Sequence, residues 1–117
     1  MVLLSFDTEE FDVPREHGVD YDTLTDGMKV SDYGTNKILD ILKEEEVHAT
    51  FFCTSNFAQH APDTMKRIAD EGHEIAAHGC DHWNPKPEDV INSKRILEEL
   101  TGKKVYGYRQ PRMFPVS

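Results

Sequence analysis

The sequence has little positive charge and no long apolar run, and each shortage excludes a class of function. Lys and Arg number 13 against 22 Asp and Glu, which gives a formal net charge of -9. Nucleic-acid binding needs clustered basic side chains, so we expect no nucleic-acid partner. No apolar stretch approaches the ~18 residues that cross a bilayer, so we expect no membrane partner.

Cysteine is scarce as well. Cys53 and Cys80 are the two in the chain, and the opening Met-Val-Leu-Leu-Ser-Phe has neither the basic start nor the cleavage site of a signal peptide. A disulfide framework would need more cysteines and an oxidising compartment. We therefore expect reduced thiols and a cytoplasmic location.

The composition that remains is that of one globular domain. The chain has 117 residues, of which 38% are hydrophobic and 30% charged, and this is enough for a single core. Neither an internal repeat nor a linker divides the sequence. Residues 1–117 are therefore expected to form one domain.

Alternating strand and helix patterns predict a parallel α/β fold. The predicted strands are 2–6, 49–54, 74–77 and 105–108, and the three predicted helices begin near positions 35, 62 and 87. Residues 9–31, rich in Asp, Gly and Thr, are expected to form a long loop. The first helix is expected to bury one face, formed by Ile38, Leu39, Ile41 and Leu42.

Three reactive residues follow the ends of predicted strands. Asp7, His78 and Arg109 each lie just beyond a carboxyl end. Ligands bind at this edge of parallel sheets because the loops converge there. The three side chains are therefore expected to share a site.

His78 and His82 form the strongest local signal for chemistry. Two imidazoles four positions apart can reach one metal ion if the segment turns like a helix, and Gly79 would let the chain bend directly after the first. The plain alternative is a chance pair of surface histidines. Cys80 lies between them and could bind zinc as a thiolate, although we expect it to pack as a small apolar residue. His73, at the far end of the third strand, is expected to be structural.

Acids near the end of the first strand complete the expected site. Asp7 and Glu9 are two apart and point the same way in an extended chain, so one can act as a base and the other as a metal ligand. Glu10 is expected to belong to a solvated turn. Arg109 can orient a carboxylate through a bidentate hydrogen bond.

Two residues are expected near the substrate. Pro111 stiffens a loop that can line the site. Trp83 can form an apolar wall beside a sugar ring, or can equally well pack the loop.

Taken together, these segments resemble the first three motifs of the polysaccharide deacetylases, the NodB-like enzymes of carbohydrate esterase family 4. The matching segments are Ser-Phe-Asp-Thr-Glu at 5–9, His-Gly-Cys-Asp-His at 78–82 and Arg-Gln-Pro-Arg at 109–112. Ala-Thr-Phe-Phe at 49–52 and Gly-His-Glu-Ile at 72–75 are similar to the segments that the family places between and before these motifs.

The resemblance implies a distorted seven-stranded (β/α) barrel, present here as its first four strands and three helices, and hydrolysis of an N-acetyl or related C–N bond. By position, Asp7 corresponds to the catalytic base and Arg109 to the arginine that orients it. His78 and His82 correspond to ligands of a divalent metal, zinc above all. Glu9 becomes the third ligand, because Thr8 stands where the common motif has its second aspartate.

The resemblance also implies that part of the family's domain is missing. The last strands and the histidine that acts as general acid find no match before Ser117, so we expect the chain to bind metal but to turn over weakly or not at all. An exposed sheet edge would favour a homo-oligomer. Two alternatives stay open, namely an amidohydrolase acting on a small non-sugar amide or ureido substrate, and a non-catalytic binding module of the same fold.

Overall fold

The described part of the chain contains three strands and four helices. The computed structural model describes residues 3–11, 17–18, 26–82 and 84–113. In chain order the elements are β1 (Ser5–Thr8), α1 (Met28–Glu44), β2 (Thr50–Cys53), α2 (Ser55–His60), α3 (Pro62–Asp70), β3 (Glu74–Ala77), α4 (Asp89–Thr101) and a 3-10 turn at Pro111–Met113. Within these described ranges, no helix has both the length and the apolar character needed to span a bilayer.

The strands form one parallel sheet in the order β1-β2-β3. Asp7 pairs with Phe52, and Phe52 pairs with Ala76, so the three carboxyl ends stop at the same level. The parallel α/β class predicted from the sequence is confirmed. This register brings the residues that follow each strand to one edge of the sheet.

The predicted fourth strand is much shorter than expected. Only Tyr108 makes a parallel bridge, to Ala77, through hydrogen bonds from Ala77 N to Gly107 O (2.8 Å) and from Arg109 N to Ala77 O (2.9 Å). The described residues therefore contain three strands and one bridge rather than four strands. These two bonds are enough to carry Arg109 to the carboxyl edge.

Two boundaries near the site also differ from the prediction. β1 begins at Ser5 and includes Asp7, whereas the apolar run predicted a strand that ended before Asp7. α1 begins at Met28, so the expected loop is shorter than its composition indicated. α2 was not predicted; it begins where the Thr54 hydroxyl accepts a hydrogen bond from Phe57 N.

The core lies between the sheet and the helices. Its fully buried side chains include Leu39, Phe51, Phe57, Ile68, Ile75 and Leu97. Ile41, predicted to share the buried face of α1, is instead 60% exposed. Position 41 is rotated by about 200° from position 39 around a helix, and therefore faces solvent.

His73 is buried at the amino end of β3, as expected for a structural residue. Its Nδ1 accepts a hydrogen bond from Ala49 N at 3.1 Å, so this nitrogen must be unprotonated in the fold. Burial lowers the pKa of His73, and the nearby His48 and Lys103 add to the effect. The unfolded chain therefore takes up a proton here more readily than the folded protein does.

We predict that His73 makes the protein less stable in acid. Its contribution is fully present above the ordinary histidine pKa of about 6.5 and is lost as pH falls toward the lower folded value. His73→Asn keeps an acceptor for Ala49 N but does not titrate, so its urea midpoint should fall less between pH 7.5 and 5.5 than that of the wild type. His60→Asn, at an exposed histidine, is the matched control, and an equal fall in all three proteins would contradict the prediction.

Candidate metal centre

Glu9, His78 and His82 converge at the carboxyl edge of the sheet. Glu9 Oε2 lies 2.6 Å from His78 Nε2 and 3.0 Å from His82 Nε2. One ligand atom from each residue lies within 4.8 Å of the other two, an arrangement that can hold a metal ion. The parallel register produces this cluster, because Glu9 follows β1 and His78 follows β3 directly.

The tautomer of His78 fixes what its second nitrogen can do. Nδ1 lies 2.8 Å from the backbone oxygen of Arg109, and a carbonyl oxygen only accepts hydrogen bonds, so Nδ1 carries the proton. In the neutral ring, Nε2 then presents a lone pair toward the Glu9 carboxylate. Both Nε2 and Glu9 Oε2 are buried and lack a hydrogen-bond partner. Two hydrogen-bond acceptors in contact repel each other unless a cation lies between them. These residues therefore fit a metal ion.

The charge of Glu9 suits this role. Burial raises the pKa of its carboxyl group, but the adjoining imidazoles of His78 and His82 outweigh that effect and hold the pKa at about 2. Glu9 is therefore ionised at neutral pH. Two imidazoles and one carboxylate are a common ligand set of catalytic zinc, which keeps a fourth position open.

Gly79 brings the two imidazoles together, but by a different route from the one predicted. The segment from His78 to His82 is a bend rather than a helical turn, and Gly79 has a φ of +78°, where a side chain is strained. A Cβ there would also lie 3.2 Å from Pro111 Cγ. Glycine thus allows both the turn and the close approach of the third motif.

Asp7 and Arg109 form an ion pair beside the three candidate metal ligands, which are called the metal group below. Arg109 Nη1 lies 2.6 Å from Asp7 Oδ1, while Nη2 donates to Ser5 Oγ at 3.1 Å. The expected bidentate contact with one carboxylate is therefore wrong, because the guanidinium divides its two nitrogens between two residues. Its carbon lies 4.0 Å from the centre of the Phe52 ring. Asp7 Oδ2 remains 3.9 Å from His78 Nε2.

Three further residues named in the sequence analysis are Cys80, Pro111 and Trp83. Cys80 is partly buried, and burial raises the pKa of its thiol, which disfavours the thiolate that zinc binds. Pro111 is fully buried beside Gly79, a placement that does not favour its predicted contact with substrate. Trp83 lies outside the described residues, so both of its proposed roles stay predictions.

Glu10 was wrongly expected in a solvated turn. Its side chain is 1% exposed and accepts hydrogen bonds from Thr54 Oγ1, Asn56 Nδ2 and His82 N. The alternation of side chains along an extended segment could have predicted this burial. Positions 8 and 10 lie on the same face of such a segment, and Thr8 is buried too.

A cavity of about 420 Å³ opens beside the metal group, which is within the usual range for small-molecule sites. Its lining joins Asp7, Glu9 and His82 to apolar residues that include Val30 and Ile38 of α1. The early start of α1 supplies part of this wall. This wall was not predicted, because Val30 lies within the segment predicted as a loop.

We predict that the protein binds one zinc ion and that His82→Ala weakens binding by at least ~100-fold, because loss of even an outer-shell partner costs about 10–100-fold. Isothermal titration with zinc, supported by elemental analysis, measures this. The control is His60→Ala, at an exposed histidine, which should bind as the wild type does. Equal affinities for all three proteins would contradict the site.

Comparison with known proteins shows the family to which the chain belongs. The polysaccharide deacetylase family profile matches residues 14–113. A peptidoglycan deacetylase of Helicobacter pylori is 33% identical over 97 residues, which cover 77% of this chain and 33% of that protein. A chitooligosaccharide deacetylase of Rhizobium leguminosarum bv. trifolii is 40% identical over 79 residues, which cover 68% of this chain and 36% of that protein.

A solved structure gives the same result for the fold. The family 4 carbohydrate esterase of Bacillus anthracis aligns with a TM-score of 0.69 and 29% identity, over 94% of this chain and 47% of that one. The chain spans about a third of the length of the two deacetylases named above. The chain belongs to the polysaccharide deacetylase family, and its strands and helices form part of that family's barrel.

Proposed function

We propose that this chain supplies the catalytic edge of a metal-dependent hydrolase that removes N-acetyl groups from a carbohydrate. The observation that carries the proposal is the juxtaposition of a metal-ligand group with the Asp7–Arg109 pair, within 3.9 Å of each other. Relatives named as peptidoglycan and chitooligosaccharide deacetylases favour N-acetylated sugars as the substrate class.

Each residue has a distinct role in this proposal. Glu9, His78 and His82 would hold a divalent ion, which would supply Lewis acidity to polarise a carbonyl group and acidify water. Asp7 accepts the proton of the attacking water as general base. Arg109 holds Oδ1 of Asp7 and thereby leaves Oδ2 directed at the metal group.

The cavity supports a substrate larger than an acetyl group. Its volume of about 420 Å³ exceeds what one acyl group requires, and its lining combines acids with apolar side chains. A sugar ring also presents both kinds of surface. Placement of the scissile amide over Glu9 and His82 would let the rest of the sugar extend toward α1.

The intact pair of Asp7 and Arg109 weighs against a non-catalytic module. A protein that only bound carbohydrate would not need an arginine that fixes a carboxylate next to a buried metal group. A small non-sugar amide or ureido compound remains the alternative substrate class, since the cavity would accommodate it. A panel of chito-oligomers, peptidoglycan fragments and small ureides, with acetate or ammonia release as the readout, separates these classes.

We predict that Asp7→Asn lowers kcat/KM by ~10²–10⁴ because general base catalysis is lost, while one zinc ion stays bound. The substrate is 4-nitrophenyl acetate, whose leaving group needs no proton from an acid, so the expected lack of a general acid does not hide the effect. Asp40→Asn is the control, since Asp40 lies on α1 and pairs with Arg67.

Metal-stripped protein gives the background rate for this assay. Hydrolysis by Asp7→Asn at the wild-type rate, or wild-type hydrolysis that survives complete removal of metal, would refute the proposed mechanism. Acetate release from N-acetyl chito-oligomers is then compared with ester hydrolysis. We expect it to be much slower in this chain, because the amine leaving group needs a proton.

A further inference from the structure

Glu10 is a buried carboxylate that takes no part in the proposed reaction. It is 1% exposed, and its two oxygens accept three hydrogen bonds. Oε1 accepts from Thr54 Oγ1 at 2.8 Å, and Oε2 accepts from Asn56 Nδ2 at 3.3 Å and from His82 N at 3.2 Å. A buried carboxylate is costly unless it is bonded in this way.

These three donors come from two separate segments around the site. Thr54 and Asn56 stand at the junction of β2 and α2, where Thr54 caps the helix. His82 belongs to the loop that carries the paired imidazoles. Glu10 therefore ties the end of β1 to the segments that follow β2 and β3 at the carboxyl edge.

The loop after β3 has two backbone anchors before His82. Ser55 N donates to Gly79 O at 2.9 Å, and Asn56 N donates to Cys80 O at 3.1 Å. Glu10 makes the next described backbone contact along the loop, at the metal ligand itself. Without it, the first half of the loop would keep its bonds to the start of α2, while the backbone at His82 would lose its hydrogen bond to Glu10.

We propose that Glu10 is a positioning residue that sets the place of His82 relative to Glu9, an inference that rests on the proposed metal-dependent function. Glu9 and Glu10 are adjacent and point to opposite sides of the extended segment. One side presents a metal ligand, and the other holds the backbone of a second ligand. If the segment at Glu9 and Glu10 moves, Glu9 and His82 therefore move together. The distance between these two ligands, which metal coordination requires, is preserved.

The competing explanation is that Glu10 contributes only to folding stability. Glu98 provides a matched control, because it also accepts a backbone hydrogen bond, from Val105 N at 2.9 Å, and it lies on α4 away from the site. Glu10→Ala and Glu98→Ala each remove a carboxylate that holds a backbone N–H. Only the first should change metal binding among molecules that remain folded.

We predict that Glu10→Ala weakens zinc binding by about 10–100-fold, as expected for an outer-shell partner of a ligand, and shifts the visible absorption of the cobalt-substituted protein. Glu10→Gln should restore most of the affinity. Its amide oxygen can still accept from His82 N, and its NH₂ can donate to Thr54, whose hydroxyl can accept instead of donate. Glu98→Ala should bind zinc as the wild type does.

Hydrogen exchange without metal provides a second readout. Loss of the bond to Glu10 should make the His82 amide exchange about tenfold faster in Glu10→Ala, the change expected for one lost hydrogen bond, while Glu98→Ala leaves it unchanged. Wild-type affinity in Glu10→Ala, equal losses in both alanine variants, or an unchanged His82 amide would overturn the proposal. Failure of the wild type to bind zinc or to hydrolyse 4-nitrophenyl acetate would refute the proposed function, whereas the exchange rates would still decide whether Glu10 positions His82.

Discussion

The contact between Glu9 Oε2 and His78 Nε2 is the constraint on which the rest of the site depends. The carbonyl of Arg109 fixes a proton of His78 on Nδ1, so in the neutral ring two buried acceptors meet at 2.6 Å. Such a contact is repulsive unless a positive charge lies between the atoms. The backbone of the third motif thus determines the chemistry of the second, and the first motif supplies the matching negative charge.

The sheet makes this arrangement possible at little conformational cost. Parallel pairing in register places the ends of β1, β2 and β3 side by side, and a single bridge at Tyr108 adds Arg109 to the same edge. Residues that are up to 104 positions apart in the sequence therefore meet through their side chains. The sheet supplies most of the geometry, and glycine at position 79 allows the sharp turn that follows His78.

The sequence predicted β3 correctly and placed β2 within one residue at each end, because those runs are bounded by polar residues and turn signals. The positions of the strand ends also predicted that Asp7, Glu9, His78, His82 and Arg109 would lie close together, since the ends of parallel strands converge. The prediction failed where tertiary contacts decide. The burial of Glu10 depends on donors from two other segments, and the divided contact of Arg109 depends on Ser5 in the same strand as Asp7. Neither partner can be chosen from spacing along the chain.

The ring of Phe52 gives the middle strand a part in this chemistry without any polar group. Phe52 is the direct register partner of Asp7, and its face lies beneath the Arg109 guanidinium. A planar guanidinium that stacks on an aromatic ring is restricted in how far it can tilt relative to that ring. An ammonium group is not planar and cannot stack in this way. Lysine at position 109 would carry the same charge, but the ring of Phe52 would not orient it. Both the shape and the charge of the side chain therefore restrict which residue can occupy position 109, directly after the bridge at Tyr108.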